Sequence, residues 1–174
     1  KQTGQSRGLN IVYGIHPTRF GEALIASSGG GICAVFFTSG RGSAEEILEL
    51  HQRWPEATFT ETNKATYHFL HHLFQLYKET TTIPLSLVLM GTEFQIQVWR
   101  GLLQIPFGEV TTYENLARYL ERPKSTRAVA SAIAKNPISL LIPCHRVFRK
   151  DKSYGGYRWG IERKIAMLAW EFGQ

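Results

Sequence analysis

Apolar and polar positions along this chain follow two different periods, and the change falls near its middle. The first half opens with short β-rich runs, Asn10-Ile11-Val12-Tyr13-Gly14-Ile15, Glu22-Ala23-Leu24-Ile25-Ala26 and Gly31-Ile32-Cys33-Ala34-Val35-Phe36-Phe37. Pro17, Gly21 and Ser28-Gly29-Gly30 punctuate them, a spacing that predicts an antiparallel meander. Ser43 followed by Glu45-Glu46 and the stripe Ile47, Leu50, Trp54 predicts a capped helix. A second helix is predicted over about Lys64 to Lys78, with Tyr67, Leu70, His71 and Phe74 on one face. The boundary between halves is expected near Ile83-Pro84 to Gly91, after Thr80-Thr81-Thr82. This partition makes residues 1–9 a polar leader or linker, 10–85 a scaffold domain and 91–174 a second domain.

Beyond Gly91 the period is helical. Thr92-Glu93 starts a helix with Phe94, Val98, Trp99, Leu102 and Leu103 as its buried stripe, and Ile105-Pro106-Phe107-Gly108 breaks it. Thr112 caps a helix through Leu120, Pro123 ends the connection, and Ser125 begins a helix that runs to Asn136 and stops at Pro137. Two short helices so joined look like a helix-turn-helix. Val129, Ala132 and Ile133 form the inner face of the second helix; Arg127, Ala130, Ser131 and Ala134 form the other, with Lys135 at its margin. Tiny side chains and one arginine lack the set that reads base edges in a major groove. They suit close approach to a nucleic-acid backbone or a narrow minor groove, and they also suit packing on another helix. The last helix, Ile161 to Phe172, is expected to bury Ile165, Leu168 and Phe172.

Composition narrows the classes. Of 174 residues, 43% are hydrophobic and 20% charged, as in an ordinary soluble globular protein. No apolar run reaches the length of about 18 residues that a membrane span needs. Two cysteines, Cys33 and Cys144, make neither a disulfide framework nor a metal cluster, which sets a reducing, intracellular location as the default. His68, His71 and His72 have no carboxylate or cysteine company and read as surface or core-edge residues, not as metal ligands. The net charge of +6 is uneven: residues 1–90 hold seven Lys/Arg and seven Asp/Glu, whereas residues 91–174 hold thirteen and seven. A basic half joined to a neutral half points to a polyanionic partner for the second half alone.

The densest chemistry lies at Ile142-Pro143-Cys144-His145-Arg146-Val147. A thiol flanked by cationic groups is the setting that lowers a cysteine pKa and makes thiolate. Such a thiolate serves a cysteine hydrolase, which needs water to complete turnover, or an alkyl acceptor, which needs nothing afterwards. Glu171 is a candidate third member, although a glutamate on a terminal helix is usually solvated.

Pro143-Cys144-His145-Arg146-Val147 resembles the active-site signature of the O6-alkylguanine-DNA alkyltransferases (methylated-DNA–protein-cysteine methyltransferases), of the bacterial Ada or Ogt type. Phe94-Gln95 with Val98-Trp99, Ile105-Pro106-Phe107-Gly108-Glu109-Val110 with Tyr113, Arg127-Ala128-Val129, Asn136-Pro137 and Gly156-Tyr157-Arg158-Trp159-Gly160 fit the same pattern in order. The resemblance is strong from about Gly91 to the end, and weaker but collinear from Asn10 to Phe37. It implies an α/β (α+β) fold: a small antiparallel sheet with flanking helices, ribonuclease H-like, followed by a mainly helical domain with the helix-turn-helix. It implies DNA repair by direct reversal, in which an alkyl group passes irreversibly from O6 of guanine, or O4 of thymine, in flipped-out duplex DNA to Cys144. His145 is then the base acting through a water, Glu171 its orienting partner, Asn136 the brace of the turn, and Tyr113 a DNA-binding residue that helps rotate the target nucleotide and donates a proton to the departing guanine. Arg127 enters the base stack, Ala130, Ser131, Ala134 and Lys135 meet DNA by the minor groove, and Pro143, Val147, Tyr157, Arg158 and Trp159 form the pocket. No cofactor or metal is expected, and the protein is expected to be a cytoplasmic, nucleoid-associated monomer. The alternative is a non-catalytic alkyltransferase-like module that recognises alkylguanine without reacting.

Overall fold

The computed structural model describes residues 7–78 and 86–174, apart from the side chains of 71–78. His71, His72, Phe74, Thr80-Thr81-Thr82 and Ile83-Pro84 therefore lie outside the described side chains or residues. The chain divides into two compact units between Met90 and Gly91.

In the first unit, strands β1 (Asn10–His16), β2 (Ala23–Ser28) and β3 (Gly31–Phe37) form the expected antiparallel meander. Every residue of β2 is buried, which fits its unbroken apolar reading. The sheet is not wholly antiparallel, and this corrects the sequence reading. After helix α1 (Ala44–Arg53), strand β4 (Thr58–Glu61) returns to pair parallel with β1, giving the order β3-β2-β1-β4. Thr58-Phe59-Thr60-Glu61 is a short edge strand, exposed at three of its four positions, so its hydrophobic signal is faint. The helix between supplies the crossover that a parallel pair requires.

Helix α1 buries Leu50 and, at its C-cap, Trp54, as expected, but Glu46 completes the buried row in place of Ile47. Helix α2 (Asn63–Lys78) turns Thr66 fully inward and leaves Tyr67 66% exposed, one position away from the predicted face. The reason is local. Gly14 of β1 has no side chain, and Thr66 and Asn63 pack into that space; Thr66 Oγ1 also stands 2.8 Å from His16 Nε2.

The second unit is mainly helical, with α3 (Glu93–Leu102), α4 (Tyr113–Tyr119), α5 (Thr126–Ala134) and α6 (Ile161–Phe172). Thr92 and Gln95 close a reciprocal capping box on α3. Trp99 is fully buried, and its indole Nε1 donates to the Ala132 carbonyl at 2.9 Å, fastening α3 to α5. Leu103 lies past this seam and is 41% exposed, contrary to the expected stripe. Val129, Ala132 and Ile133 are buried as the wheel of α5 requires, while Arg127, Ser131, Ala134 and Lys135 are exposed. A two-residue parallel pair, β5 (Thr111–Thr112) with β6 (Val147–Phe148), ties the start of α4 to the segment after Cys144.

Helix α6 departs most from its sequence reading. Ile165 and Phe172 are 40% and 59% exposed, and the buried row is Lys164, Met167, Leu168 and Glu171. That row has the i, i+3, i+4, i+7 spacing of a helix face, but two of its members are charged. Charged residues are seldom fully buried without partners. The partners lie in the candidate active site.

Candidate active site

The segment between α5 and Cys144 is a braced turn. Asn136, 1% exposed, accepts from Ile138 N at 2.9 Å and donates from Nδ2 to Ile142 O at 2.8 Å and Cys144 Sγ at 3.2 Å. This bracing holds buried Leu140 at φ 72°, a left-handed conformation that costs a bulky residue about 1–3 kcal/mol. Pro143 then adopts φ −79°, ψ 63°, and Cys144 N donates to Ile142 O at 2.7 Å, which closes an inverse γ-turn.

Cys144, His145 and Arg146 form one turn of 3₁₀ helix. At three residues per turn their side chains diverge by about 120°, so neighbours in sequence serve different partners. His145, fully buried, meets Glu171 through Nε2 at 2.7 Å. Arg146 Nε donates to both Glu171 oxygens, at 3.1 and 2.9 Å, and its Nη1 donates to Ile105 O at 2.7 Å. The guanidinium lies 5.6 Å from the Phe107 ring centroid, and Phe107 meets Trp170 edge to face. Gly108 N, at a backbone φ of 74°, adds a further bond to Glu171 Oε2 at 3.1 Å. The Ile105-Pro106-Phe107-Gly108 break is thus also the cradle of a buried Arg146–Glu171 ion pair.

The divergence overturns the expected cationic setting of the thiol. Arg146 is committed to Glu171, and burial holds the His145 pKa below its ordinary value, although Glu171 pulls it upward. Burial also raises the Cys144 pKa; hydrogen bonds from Asn136 and Tyr157 and the charge of Lys164 pull it back only in part. Cys144 at rest is a thiol that needs a base.

Lys164, which the sequence reading missed, is the cation on the thiol's side. It is fully buried and donates from Nζ to Val147 O and Tyr154 O, each at 2.6 Å, with the Phe148 ring 4.8 Å away. Burial pulls its pKa down to about 8, and Cys144 pulls it up. A lysine seven residues before Glu171 on the apolar side of α6 was the available signal. Lys164→Met should therefore move the pH midpoint of Cys144 alkylation by iodoacetamide upward by about one unit, the usual effect of losing a nearby opposite charge. An unchanged midpoint in a folded variant would contradict the role.

A cavity of about 400 Å³ opens on the thiol, lined by Tyr113, Ala130, Ile133, Ala134, Asn136, Cys144 and the stretch Gly156-Tyr157-Arg158-Trp159. The Tyr157 hydroxyl lies 3.3 Å from Ser139 Oγ and 3.7 Å from Met167 Sδ, and Arg158 stacks over Trp159 at 4.3 Å. Tyr113 opens α4 directly after its N-cap Thr112, and burial followed by the charge of Cys144 raises its pKa, against Arg149. Pro143 and Val147, expected in the pocket, do not line it. Both are buried: Pro143 makes the γ-turn, and Val147 pairs in β6 and accepts from Lys164. Arg127, Ser131 and Lys135 sit on the exposed face of α5, beside the pocket residues Ala130 and Ala134. Among the described residues, no group of three or more His, Cys, Asp or Glu could hold a metal, and no helix is long and apolar enough to cross a membrane.

Residues 93–172 match the family model of the 6-O-methylguanine DNA methyltransferase DNA-binding domain. The methylated-DNA–protein-cysteine methyltransferase of Haemophilus influenzae is 32% identical over 161 residues, covering 92% of this chain and 86% of that protein. The chain belongs to this methyltransferase family. The bifunctional transcriptional activator and DNA repair enzyme Ada of Escherichia coli is 40% identical over 164 residues, 92% of this chain. The chain spans about half the length of that relative, 45%. In structure, Mycobacterium tuberculosis OGT in complex with DNA aligns with a TM-score of 0.72 and 28% identity over 93% of each chain. Among the described residues the chain has an α/β architecture with a small mixed sheet and six α-helices, matching the solved OGT structure.

Proposed function

We propose that this chain reverses DNA alkylation directly, moving an alkyl group from O6 of guanine, or O4 of thymine, onto Cys144 in a single irreversible turnover. The observation that carries this is the braced thiol at the floor of a pocket whose rim is the small-residue face of α5. Ala130 and Ala134 line the cavity, while Arg127, Ser131 and Lys135 continue that face outward. Such a face admits a backbone or a narrow groove closely and reads little sequence. We read α4 and α5 as a helix-turn-helix set against the minor groove, residues 91–174 as the DNA-binding and transfer domain, and 10–85 as a ribonuclease H-like scaffold. The protein works as a monomer in the nucleoid-associated cytoplasm.

The alkylated atom lies inside the stack, so the nucleotide must be extruded at a cost of a few kcal/mol. Arg127 fills the vacated space. Glu171 accepts from His145 Nε2, since a carboxylate only accepts, which leaves Nδ1 as the basic ring nitrogen. The thiol proton passes there through a water. Sulfur then attacks the alkyl carbon in line with the C–O6 bond, and Tyr113 protonates the departing guanine, an otherwise poor leaving group. Asn136 holds the sulfur, and the charge of Lys164 supports it. Tyr157, Arg158 and Trp159 wall the alkyl group. The product is a thioether, with no low-energy return to thiol and no demand for a cofactor.

Arg127→Ala tests the extrusion step. Losing a stack-filling side chain costs about 1–3 kcal/mol, so repair of O6-methylguanine in duplex should slow by roughly 10- to 100-fold. Transfer from free O6-benzylguanine should change by less than about threefold, since nothing is extruded. Equal losses on both substrates would remove Arg127 from base extrusion.

A further inference from the structure

We propose that Arg149 is a positioning residue for leaving-group departure: its guanidinium, near the Tyr113 hydroxyl beside Gly155, stabilises the phenolate left when Tyr113 gives up its proton. This rests on the reading of Tyr113 as the proton donor. It reaches beyond that reading to a side chain outside the signature, on the turn between β6 and the pocket wall.

The geometry converges on one point. A Cβ placed on Gly155 would stand 3.5 Å from Arg149 Nε, 3.4 Å from Arg149 Cγ and 3.5 Å from the Tyr113 hydroxyl. The Arg149 Nε and the Tyr113 oxygen are thus no farther apart than the sum of these two distances, both lying beside Gly155. Gly155 has φ 67°, a left-handed conformation in which a side chain would be strained, so glycine is favoured there and the space stays open.

Backbone hydrogen bonds fix the turn that carries Arg149, whose side chain is exposed. Arg149 N donates to Ser153 O and its carbonyl accepts from Lys152 N, both at 3.0 Å, and Lys152 turns the chain at φ 63°. Beyond that turn, Tyr154 packs on Phe148 and gives its carbonyl to Lys164. The same buried lysine that faces the thiol therefore anchors the arm that presents Arg149.

The charges around Tyr113 are few. Cys144 faces it from the 3₁₀ turn and disfavours its phenolate, and Arg149 favours it. Glu114, next on α4, is engaged by Arg118 and Lys150 and so presents little net charge. Arg158 lies on the cavity wall, over Trp159.

In the transfer step the sulfur lone pair forms the S–C bond and the C–O6 electrons pass to the purine. The Tyr113 O–H bond breaks to protonate the purine, and the new phenolate recovers a proton from solvent. Positive charge is most useful where negative charge newly develops. Within this pocket that place is the Tyr113 oxygen, once the purine has taken its proton.

Arg149→Met and Arg149→Lys, each assayed three ways in the whole chain, test this. Alkylation of Cys144 by iodoacetamide, whose iodide leaves without a proton, should be unchanged in both. Benzyl transfer from free O6-benzylguanine at neutral pH should fall about tenfold in Arg149→Met, the effect of a one-unit rise in the donor's pKa. Its alkaline limb should move up by the same amount, and Arg149→Lys should restore most of the rate. Duplex O6-methylguanine should lose at least as much.

A loss on duplex alone would make Arg149 a phosphate contact and overturn the proposal, as would an equal loss with iodoacetamide. Tyr113→Phe separates the two layers. If it leaves benzyl transfer unchanged, the reading of Tyr113 fails. If it slows transfer and Arg149→Met slows it further in that background, Arg149 does not act through Tyr113, and the proposal fails alone.

Discussion

Glu171→Gln will both destabilise the protein and disable the thiol. The carboxylate takes one contact from His145, two from Arg146 and one from the Gly108 amide, and it is 3% exposed. Glutamine keeps the shape and one acceptor but leaves the Arg146 guanidinium buried beside a neutral group. Removing one member of a buried pair typically costs about 3–5 kcal/mol. For a unit of this size that lowers Tm by on the order of 10–40 °C. The effect on the reaction is separate. Burial already holds the His145 pKa down and Glu171 is what raises it, so the variant's imidazole is a weaker base. Transfer from free O6-benzylguanine, measured well below the variant's Tm, should slow by roughly 100-fold, the lower range for losing base assistance. His145→Gln should lose a similar rate while keeping the Arg146–Glu171 pair and more of the stability. A folded Glu171→Gln that reacts within about threefold of the parent would remove the pair from the mechanism.

Cys144→Ala should bind DNA containing O6-methylguanine and transfer nothing. The fold should tolerate the change, because Asn136 Nδ2 keeps its bond to Ile142 O when the sulfur acceptor is gone. The cost should be about 1 kcal/mol, as for an ordinary point change. Titration of duplex in a gel-shift assay, beside a label-transfer assay, reads the two properties independently. Cys33→Ala supplies the contrast. That thiol is buried within β3, and burial pushes its pKa up to about 12, so its loss should leave transfer intact. Any methyl transfer by Cys144→Ala would mean that another group accepts the alkyl.

The parts legible in the sequence were those with local causes. The β1–β3 meander shows in short apolar runs between turn residues, and the start of α3 shows in Thr92-Glu93. The inner face of α5 shows in a simple helical wheel. What the sequence hid depends on partners distant in the chain. Glu171 is 25 and 26 residues from Arg146 and His145, and 63 from Gly108. A wheel that counts charged residues as solvated therefore turns α6 the wrong way. The same assumption concealed Lys164, whose burial rests on two backbone carbonyls that no composition rule exposes. The flanking cations of Cys144 misled for a geometric reason, since a 3₁₀ turn sends adjacent side chains to different neighbours. The edge strand β4 was silent because its half-polar pattern has little apolar signal.

The central claim is that Cys144 is spent on the alkyl group and not recycled. Its most direct test is to incubate the whole chain with excess duplex carrying one O6-methylguanine, then map the methyl by peptide mass spectrometry while counting restored guanine. The expected result is one methyl per chain, on the peptide containing Cys144, with one guanine restored for each protein consumed. Restoration of several guanines per chain, or a methyl on any other residue, would contradict it.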